Sequence, residues 1–291
     1  MDDEREAFWN KISEEDQAFI RRFRLMDDTF FSVVLQKPEC TEFILRLILK
    51  RPDLSVQKVT TQKEMKNLHG RSLCLDVLAV DKEGKPYNIE IQRKDEGADP
   101  KRARYHSALL DASVTYPGEK FKNLIETYVI FITENDVLKA GKPLYHIDRI
   151  IRETDEDFRD GTHIIYVNSK IQDETELGKL MHDLYCTDPN TMNFKILADE
   201  VRFYKEKQEG VNQMCQIMEE IRDKSFNAGW AGGEAKGEAR GEAKGAAKKA
   251  RETALKMAAR GDSPREIADM VGYDTKIVTN WIQESSASAG R

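Results

Sequence analysis

The 291-residue chain predicts an α/β domain, a mixed β-sheet flanked by helices, followed by a helical tail. Three observations predict it. Helical and strand-like stretches interleave: helices, three short β-like segments, a helix, a strand, then a further strand and helices. Ile125–Thr133 (IETYVIFIT) and His163–Asn168 (HIIYVN) are short apolar runs of the kind that form buried strands. After Trp230 the composition breaks into a four-residue repeat, GEAKGEARGEAKGAAK. With 40% hydrophobic and 34% charged residues, a wholly disordered chain is excluded, because such a chain lacks the apolar surface to offset its entropy.

Residues 1–24 read as a polar amphipathic helical lead-in. Phe30–Leu35 and Phe43–Leu49 follow as helices, broken at Lys37-Pro38 and stopped by Pro52. Ser55–Thr61, Ser72–Asp81 and Pro86–Arg93 are β-like. Pro100 to about Ser113 is a helix with proline in its first turn and an expected packing stripe of Tyr105, Ala108, Leu109 and Ala112. After the two apolar strands, Glu174–Tyr185 and Asn190 to about Phe226 are helical. A domain over residues 1–228, a linker over 229–250 and a small unit over 251–284 are expected.

Glycine at every fourth position costs a helix about 1 kcal/mol per site relative to alanine, so the repeat reads as a marginally helical, mobile linker. Its alternative is a small-residue stripe for helix pairing, which would make the C-terminal helical tail a homo-oligomer contact. Beyond it, Ser263-Pro264-Arg265-Glu266 is a capping box, Gly272 can end that helix, and Asp274 or Thr275 can cap the next. Ile267, Val271, Ile277, Val278 and Trp281 supply a small core. Two short helices across a tight turn resemble a helix-turn-helix, with a protein-contact unit as the alternative.

Net charge is −6 and uneven: residues 232–265 carry +4, 266–291 carry −2 and the first 231 residues −8. Bulk-charge coating of nucleic acid is thereby disfavoured, and a contact in the main body must use a local basic patch. No apolar run approaches the roughly 20 residues of a membrane span, and the acidic start MDDEREAFWNK is unlike a secretory signal. Cys40, Cys74, Cys186 and Cys215 lack CxxC spacing, which points away from zinc and disulfides and toward a reduced cytoplasm. His69, His106, His146, His163 and His182 do not pair at metal spacing and read as structural or surface residues. No GxxxxGK[ST] loop occurs, so ATP use is not indicated.

The chemistry lies in LCLDVLAVDKEGKPYNIEIQRK, residues 73–94. Leu73, Leu75, Val77 and Ala79 share one strand face, and Cys74, Asp76, Leu78 and Val80 the other, so a central strand buried on both faces is expected with Asp76 its exception. An isolated buried carboxylate is costly and needs a cation, a donor or a metal. A three-residue loop, Lys82-Glu83-Gly84, pairs Asp81 with Lys85 and, counting back, Asp76 with Glu90. Their side-chain roots would stand about 4.5–5.5 Å apart, with Gln92 on the same face. Adjacent buried carboxylates repel, and a hard divalent cation relieves this by accepting both.

Asp76, a hairpin and Glu90-Ile91-Gln92 resemble the D…ExQ form of the PD-(D/E)XK nuclease motif. With LMDDTF (25–30), YNIEIQR (87–93), KRARYHSALLD (101–111), PGEKF (117–121) and YVIFIT (128–133), the chain over roughly residues 23–207 resembles the PD-(D/E)XK nuclease family transposases, relatives of the recombination-promoting nucleases (Rpn). The resemblance implies a restriction-endonuclease-like core and metal-dependent cleavage of DNA phosphodiesters, with a role in recombination or mobile elements. It implies that Asp76 and Glu90 hold Mg²⁺, with Mn²⁺ as substitute, and that Gln92 occupies the place of the signature lysine. Glutamine positions by hydrogen bonds alone, whereas lysine also supplies charge. Lys94 lies on the same expected face, as either a contributor or a solvated strand-end residue. Asp27 or Asp28 reads as an accessory acid or a helix N-cap. Lys101, Arg102 and Arg104 open the following helix, where basic residues suit a phosphate, and Arg104 reads either as a residue near the sheet edge and the site or as half of a surface ion pair. Two function classes follow: a Mg²⁺-dependent DNA endonuclease, favoured by the intact acidic pair, and a non-catalytic nucleic-acid-binding or protein-interaction protein on the nuclease fold, favoured by Gln92 and the acidic body.

Overall fold

The computed structural model describes residues 12–67 and 70–289, with backbone alone for residues 224–244 and 286–289. Of the expected lead-in helix, residues 1–11 lie outside the described residues, as does His69. The described part opens with helix α1 (Glu14–Arg22), N-capped by Ser13, whose hydroxyl accepts from the Asp16 N–H. Helix α2 (Asp28–Val34) buries Phe30, Phe31, Val33 and Val34. Helix α3 (Pro38–Leu49) starts on the expected proline and ends at Lys50, which takes the left-handed conformation at φ 53°, two residues before Pro52.

Strands β1 (Val56–Met65), β2 (Leu73–Asp81) and β3 (Pro86–Gln92) form an antiparallel meander. Helix α4 (Pro100–Val114) then carries the chain to β4 (Thr127–Thr133), which pairs parallel with β3. After β5 (Leu144–Ile147) and a separate ribbon of β6 (Ile150–Ile151) and β7 (Glu156–Asp157), strand β8 (Thr162–Asn168) pairs parallel with β4. The six-stranded sheet runs β1-β2-β3-β4-β8-β5 and is mixed, as expected. The short, half-exposed β5 and the ribbon were not foreseen, since two to four residues carry no usable periodicity.

Register assigns the two faces of the sheet. Val77, Ile89, Ile91, Ile130, Ile132 and Val167 point one way and are buried, and α2 packs on β1, β2 and β3. Asp76, Leu78, Asn88, Glu90, Val129, Phe131 and Tyr166 alternate with them, and α4 packs on this side, placing Ala103 and Leu110 against Val129, Phe131 and Tyr166. Strand β2 differs from the expectation in one respect. It lies next to the sheet edge, and its Cys74, Asp76, Leu78, Val80 face is only partly covered rather than buried.

The expected helix over residues 190–226 is divided. A 3-10 turn at Pro189–Thr191 follows α5 (Glu176–Tyr185); α6 (Lys195–Glu206) comes next, and a new helix, α7 (Gln208–Ala258), begins after Lys207. The GEAK repeat lies inside α7, in continuous helix. The chain divides into two compact units between Cys215 and Gln216. The second unit has a core of Ala254, Ile267, Ala268 and Val278, drawn from α7, α8 (Pro264–Val271) and α9 (Thr275–Ala289). Its capping box at Ser263 and Glu266, its left-handed Gly272 and the Asp274 cap on the Lys276 N–H are as read from the sequence. Val271 and Trp281 are half-buried against that core, while Ile277 is exposed rather than part of it, standing about 100° round α9 from Val278. Among the described residues no helix is long and apolar enough to cross a membrane.

Candidate active site

The β2–β3 hairpin sets the geometry. Asp81 closes the turn: its carbonyl accepts from the Gly84 N–H at 3.0 Å, and its Oδ1 accepts from the Glu83 and Lys85 N–H groups at 2.9 Å each. Gly84 sits at φ 85°, a left-handed position that a side chain would strain. The ladder then pairs Val80 with Pro86, Ala79 with Tyr87, Leu78 with Asn88 and Val77 with Ile89, so the next pair in the count is Asp76 with Glu90. There the side chains themselves bridge the strands. The Asp76 N–H donates to Glu90 Oε1 at 3.3 Å, and the Ile91 N–H donates to Asp76 Oδ2 at 3.0 Å.

Both carboxyls are held well above their ordinary pKa range. For Asp76 burial is the main cause, supported by the charge of Asp28 and opposed by the Ile91 N–H, Arg102 and Gln62. For Glu90 burial again leads, followed by the charge of Asp76, against the Asp76 N–H, Asn88 and Arg102. Glu90 is fully buried, and its Oε2 has no hydrogen-bond partner; the Arg102 guanidinium stands 3.9 Å away. A buried carboxylate oxygen without a donor is costly, and two hard oxygen ligands on adjacent strands fit a divalent cation of the Mg²⁺ or Mn²⁺ type.

A cleft of about 600 Å³ opens over Asp76, lined also by Asp27, Asp28, Gln92, Lys94 and Arg102 among others, with Glu90 buried beside Asp76. Gln92 is half-exposed, and a Cβ at Gly97 would overlap its amide oxygen, so only glycine there leaves the side chain its place. Asp27 stands at the N-cap position of α2 without capping it: its carboxylate accepts from the Arg24 N–H at 2.9 Å and from Arg93 at 3.0 Å. Asp28 is exposed on the cleft, its Oδ1 on the Thr29 N–H.

Helix α4 is rotated from the expected stripe. It buries Ala103, His106, Ser107 and Leu110, while Ala108 and Ala112 are exposed and Tyr105 and Leu109 half-buried. This phase turns Arg102 into the cleft and leaves Lys101 and Arg104 exposed outside it. The helix N-terminus itself is capped by the Asp99 carboxylate, which takes the Lys101 N–H and places a negative charge where a phosphate was expected. The same phase buries His106 beside Glu90, Nδ1 to Oε1 3.7 Å, where burial pushes its pKa down to about 4. Gln62 is a second unforeseen neighbour: a non-glycine residue at φ 50° on β1, it donates to Ser32 Oγ at 2.9 Å and acts on Asp76. A backbone irregularity inside a strand leaves no mark in the sequence.

A second cluster, His182, Asp183 and Cys186 on and just after α5, is satisfied from within. Asp183 accepts from the Asn193 and Phe194 N–H groups at 2.8 and 2.9 Å, and the Asn193 amide lies 3.1 Å from His182 Nδ1.

No curated protein and no solved structure matches the chain. A family model described as PD-(D/E)XK nuclease family transposase matches residues 30–225, which contain Asp76, Glu90, Gln92, Arg102 and His106 and begin just after Asp27 and Asp28. Such nucleases act on nucleic acid and generally use divalent metal ions. With a mixed sheet, flanking helices and a matched segment covering most of its length, the chain belongs to the PD-(D/E)XK nuclease family transposases.

Proposed function

We propose that this protein is a divalent-metal-dependent DNA endonuclease that hydrolyses phosphodiester bonds in recombination or mobile-element biology, in kinship with the recombination-promoting nucleases. The observation that carries the reading is the Asp76–Glu90 pair, with Asp76 on the cleft and Glu90 buried beside it, its Oε2 without a hydrogen-bond partner. Asp76 and Glu90 would hold Mg²⁺, or Mn²⁺ in its place. A bound ion supplies an activated water and compensation for the charge that builds on the phosphorane. Gln92 orients groups at the cleft by hydrogen bonds, in the place of the signature lysine. Asp28 is the accessory acid, since Asp27 is engaged by Arg24 and Arg93. Arg102 faces the scissile phosphate; Lys101 and Arg104 contact the flanking DNA backbone. The domain over residues 1–228 carries the chemistry, and the tail, the 229–250 repeat and the 251–284 helix-turn-helix-like unit, tunes DNA affinity or assembly. No disulfide joins the four cysteines, which suits a cytoplasmic protein.

Plasmid nicking with Mg²⁺ or Mn²⁺, with and without EDTA, tests this beside a thermal-shift titration with Mn²⁺. The wild type should nick and be stabilised by Mn²⁺ through mass action, and Asp76→Ala and Glu90→Gln should lose both effects. Undiminished cleavage by Glu90→Gln would place the chemistry elsewhere. Gln92 in place of lysine favours a second reading, a DNA-binding protein that retains the fold without cleavage. Metal-independent DNA binding with no nicking under any condition would select it.

A further inference from the structure

Glu90 is surrounded by groups that the metal-ligand role leaves unexplained. Asn88 stands two residues before it on the same sheet face, and Arg102 and His106 face it from successive turns of α4. The Arg102 Nε–H donates to His106 Nε2 at 3.2 Å. A guanidinium nitrogen can only donate, so Nε2 is bare and the proton of the imidazole sits on Nδ1. That nitrogen lies 3.7 Å from Glu90 Oε1 and 3.2 Å from the Asn88 amide nitrogen. Asn88 Oδ1, buried and without a partner, reaches the same Nδ1–H by a half-turn of the amide, which withdraws the amide N–H from Glu90. Edge-to-face packing on Phe131, ring centres 5.5 Å apart, keeps the imidazole in this plane.

One donor reaches Glu90 Oε1, the Asp76 N–H at 3.3 Å, and the His106 Nδ1–H stands beside the same oxygen at 3.7 Å, beyond hydrogen-bond length. Oε2 is left without a donor. We propose that Arg102 fixes His106 as its Nδ1–H tautomer, and that the positive end of this N–H beside Oε1 holds the Glu90 carboxylate in place for the metal. His106 is thus a positioning residue, acting on the ion through Glu90. The inference rests on the reading of Glu90 as a metal ligand.

Two isosteres separate the ring's two nitrogens. His106→Gln keeps an acceptor for Arg102 at the Nε2 position and removes the Nδ1 donor; His106→Asn keeps a donor at the Nδ1 position and loses the acceptor. Mn²⁺ affinity of the full chain, measured by calorimetric titration, should fall about 10–100-fold in His106→Gln and stay within about threefold in His106→Asn. Melting temperatures of the metal-free chains should fall alike in both variants, since both lose the Phe131 contact. A role confined to packing would instead make affinity follow melting temperature. The ¹⁵N resonances of wild-type His106 should report a neutral ring protonated at Nδ1, the minor tautomer of free histidine. Equal Mn²⁺ affinities in the two variants, or a proton on Nε2, would overturn the proposal. A wild type that binds no Mn²⁺ would instead overturn the metal reading, and the tautomer measurement still decides what Arg102 does to His106.

Discussion

At the scale of residues, the Asp76–Glu90 pair makes stability depend on pH. Both folded-state values are raised by burial and by neighbouring negative charge. The unfolded chain therefore releases these protons at lower pH than the folded chain. A raised carboxyl costs nothing below its unfolded value, where both states are protonated, and destabilises increasingly as pH climbs toward the folded value. The metal-free protein should lose stability between about pH 5 and about pH 8, and Glu90→Gln should flatten that slope. Urea midpoints for the two chains across this range measure it, and parallel curves would show that Glu90 is ionised at no cost. This pair was legible in the sequence because a strand alternates every two residues and a three-residue turn sets the register. His106 was not, because the expected stripe and the observed one share the same i, i+3, i+4, i+7 spacing on α4. The observed stripe includes a histidine and a serine, so hydropathy chose the wrong one; contact with Phe131 and Glu90 decides the phase.

At the scale of elements, Lys205 on α6 acts as a buried clamp. Its ammonium donates to the carbonyls of Arg21, Phe23 and Thr187 at 3.1, 2.5 and 2.6 Å, joining α6 to the end of α1 and to the chain after α5. It also stands 5.6 Å from the centre of the Phe30 ring, in α2, the helix that begins at the cleft. Burial lowers its pKa to about 8, since desolvation disfavours the charged form. Lys205→Met preserves much of the volume and leaves three carbonyls without their donor. The expected cost is about 2–4 kcal/mol, read as a lower urea midpoint. An unchanged midpoint would mean that those carbonyls find other donors. Nothing in the sequence marks Lys205, because its partners are main-chain atoms far away along the chain.

At the scale of the whole molecule, the chain divides into two compact units after Cys215, and the second has its own core around Ile267 and Val278. A chain ending at residue 228 retains Val211, Met214 and Met218, the buried residues at the start of α7. It should melt within a few degrees of the full chain and keep any cleavage activity. It should also show a flatter dependence of DNA binding on salt, because the basic residues 232–265 are gone. Calorimetry and salt-dependent binding isotherms test both parts. Loss of folding in the truncated chain would place the domain boundary further on, and a change in oligomeric state would identify the repeat as a helix-pairing element.

By itself, the sequence determined the order of the main elements, the turn at Lys82-Glu83-Gly84 and the alignment of Asp76, Glu90 and Gln92, because each follows from local periodicity or turn chemistry. It also carried the family, through motifs in sequence order. Only the tertiary structure decided which residues complete the surroundings of that pair. Asp27 is drawn to Arg93 rather than to the helix end, Asp99 takes the N-terminus of α4, and the phase of α4 brings Arg102 and His106 to Glu90 while turning Arg104 away. The physical reason is common to all three. A side chain's partner across the fold depends on how helix and sheet pack, which neither local periodicity nor turn chemistry records.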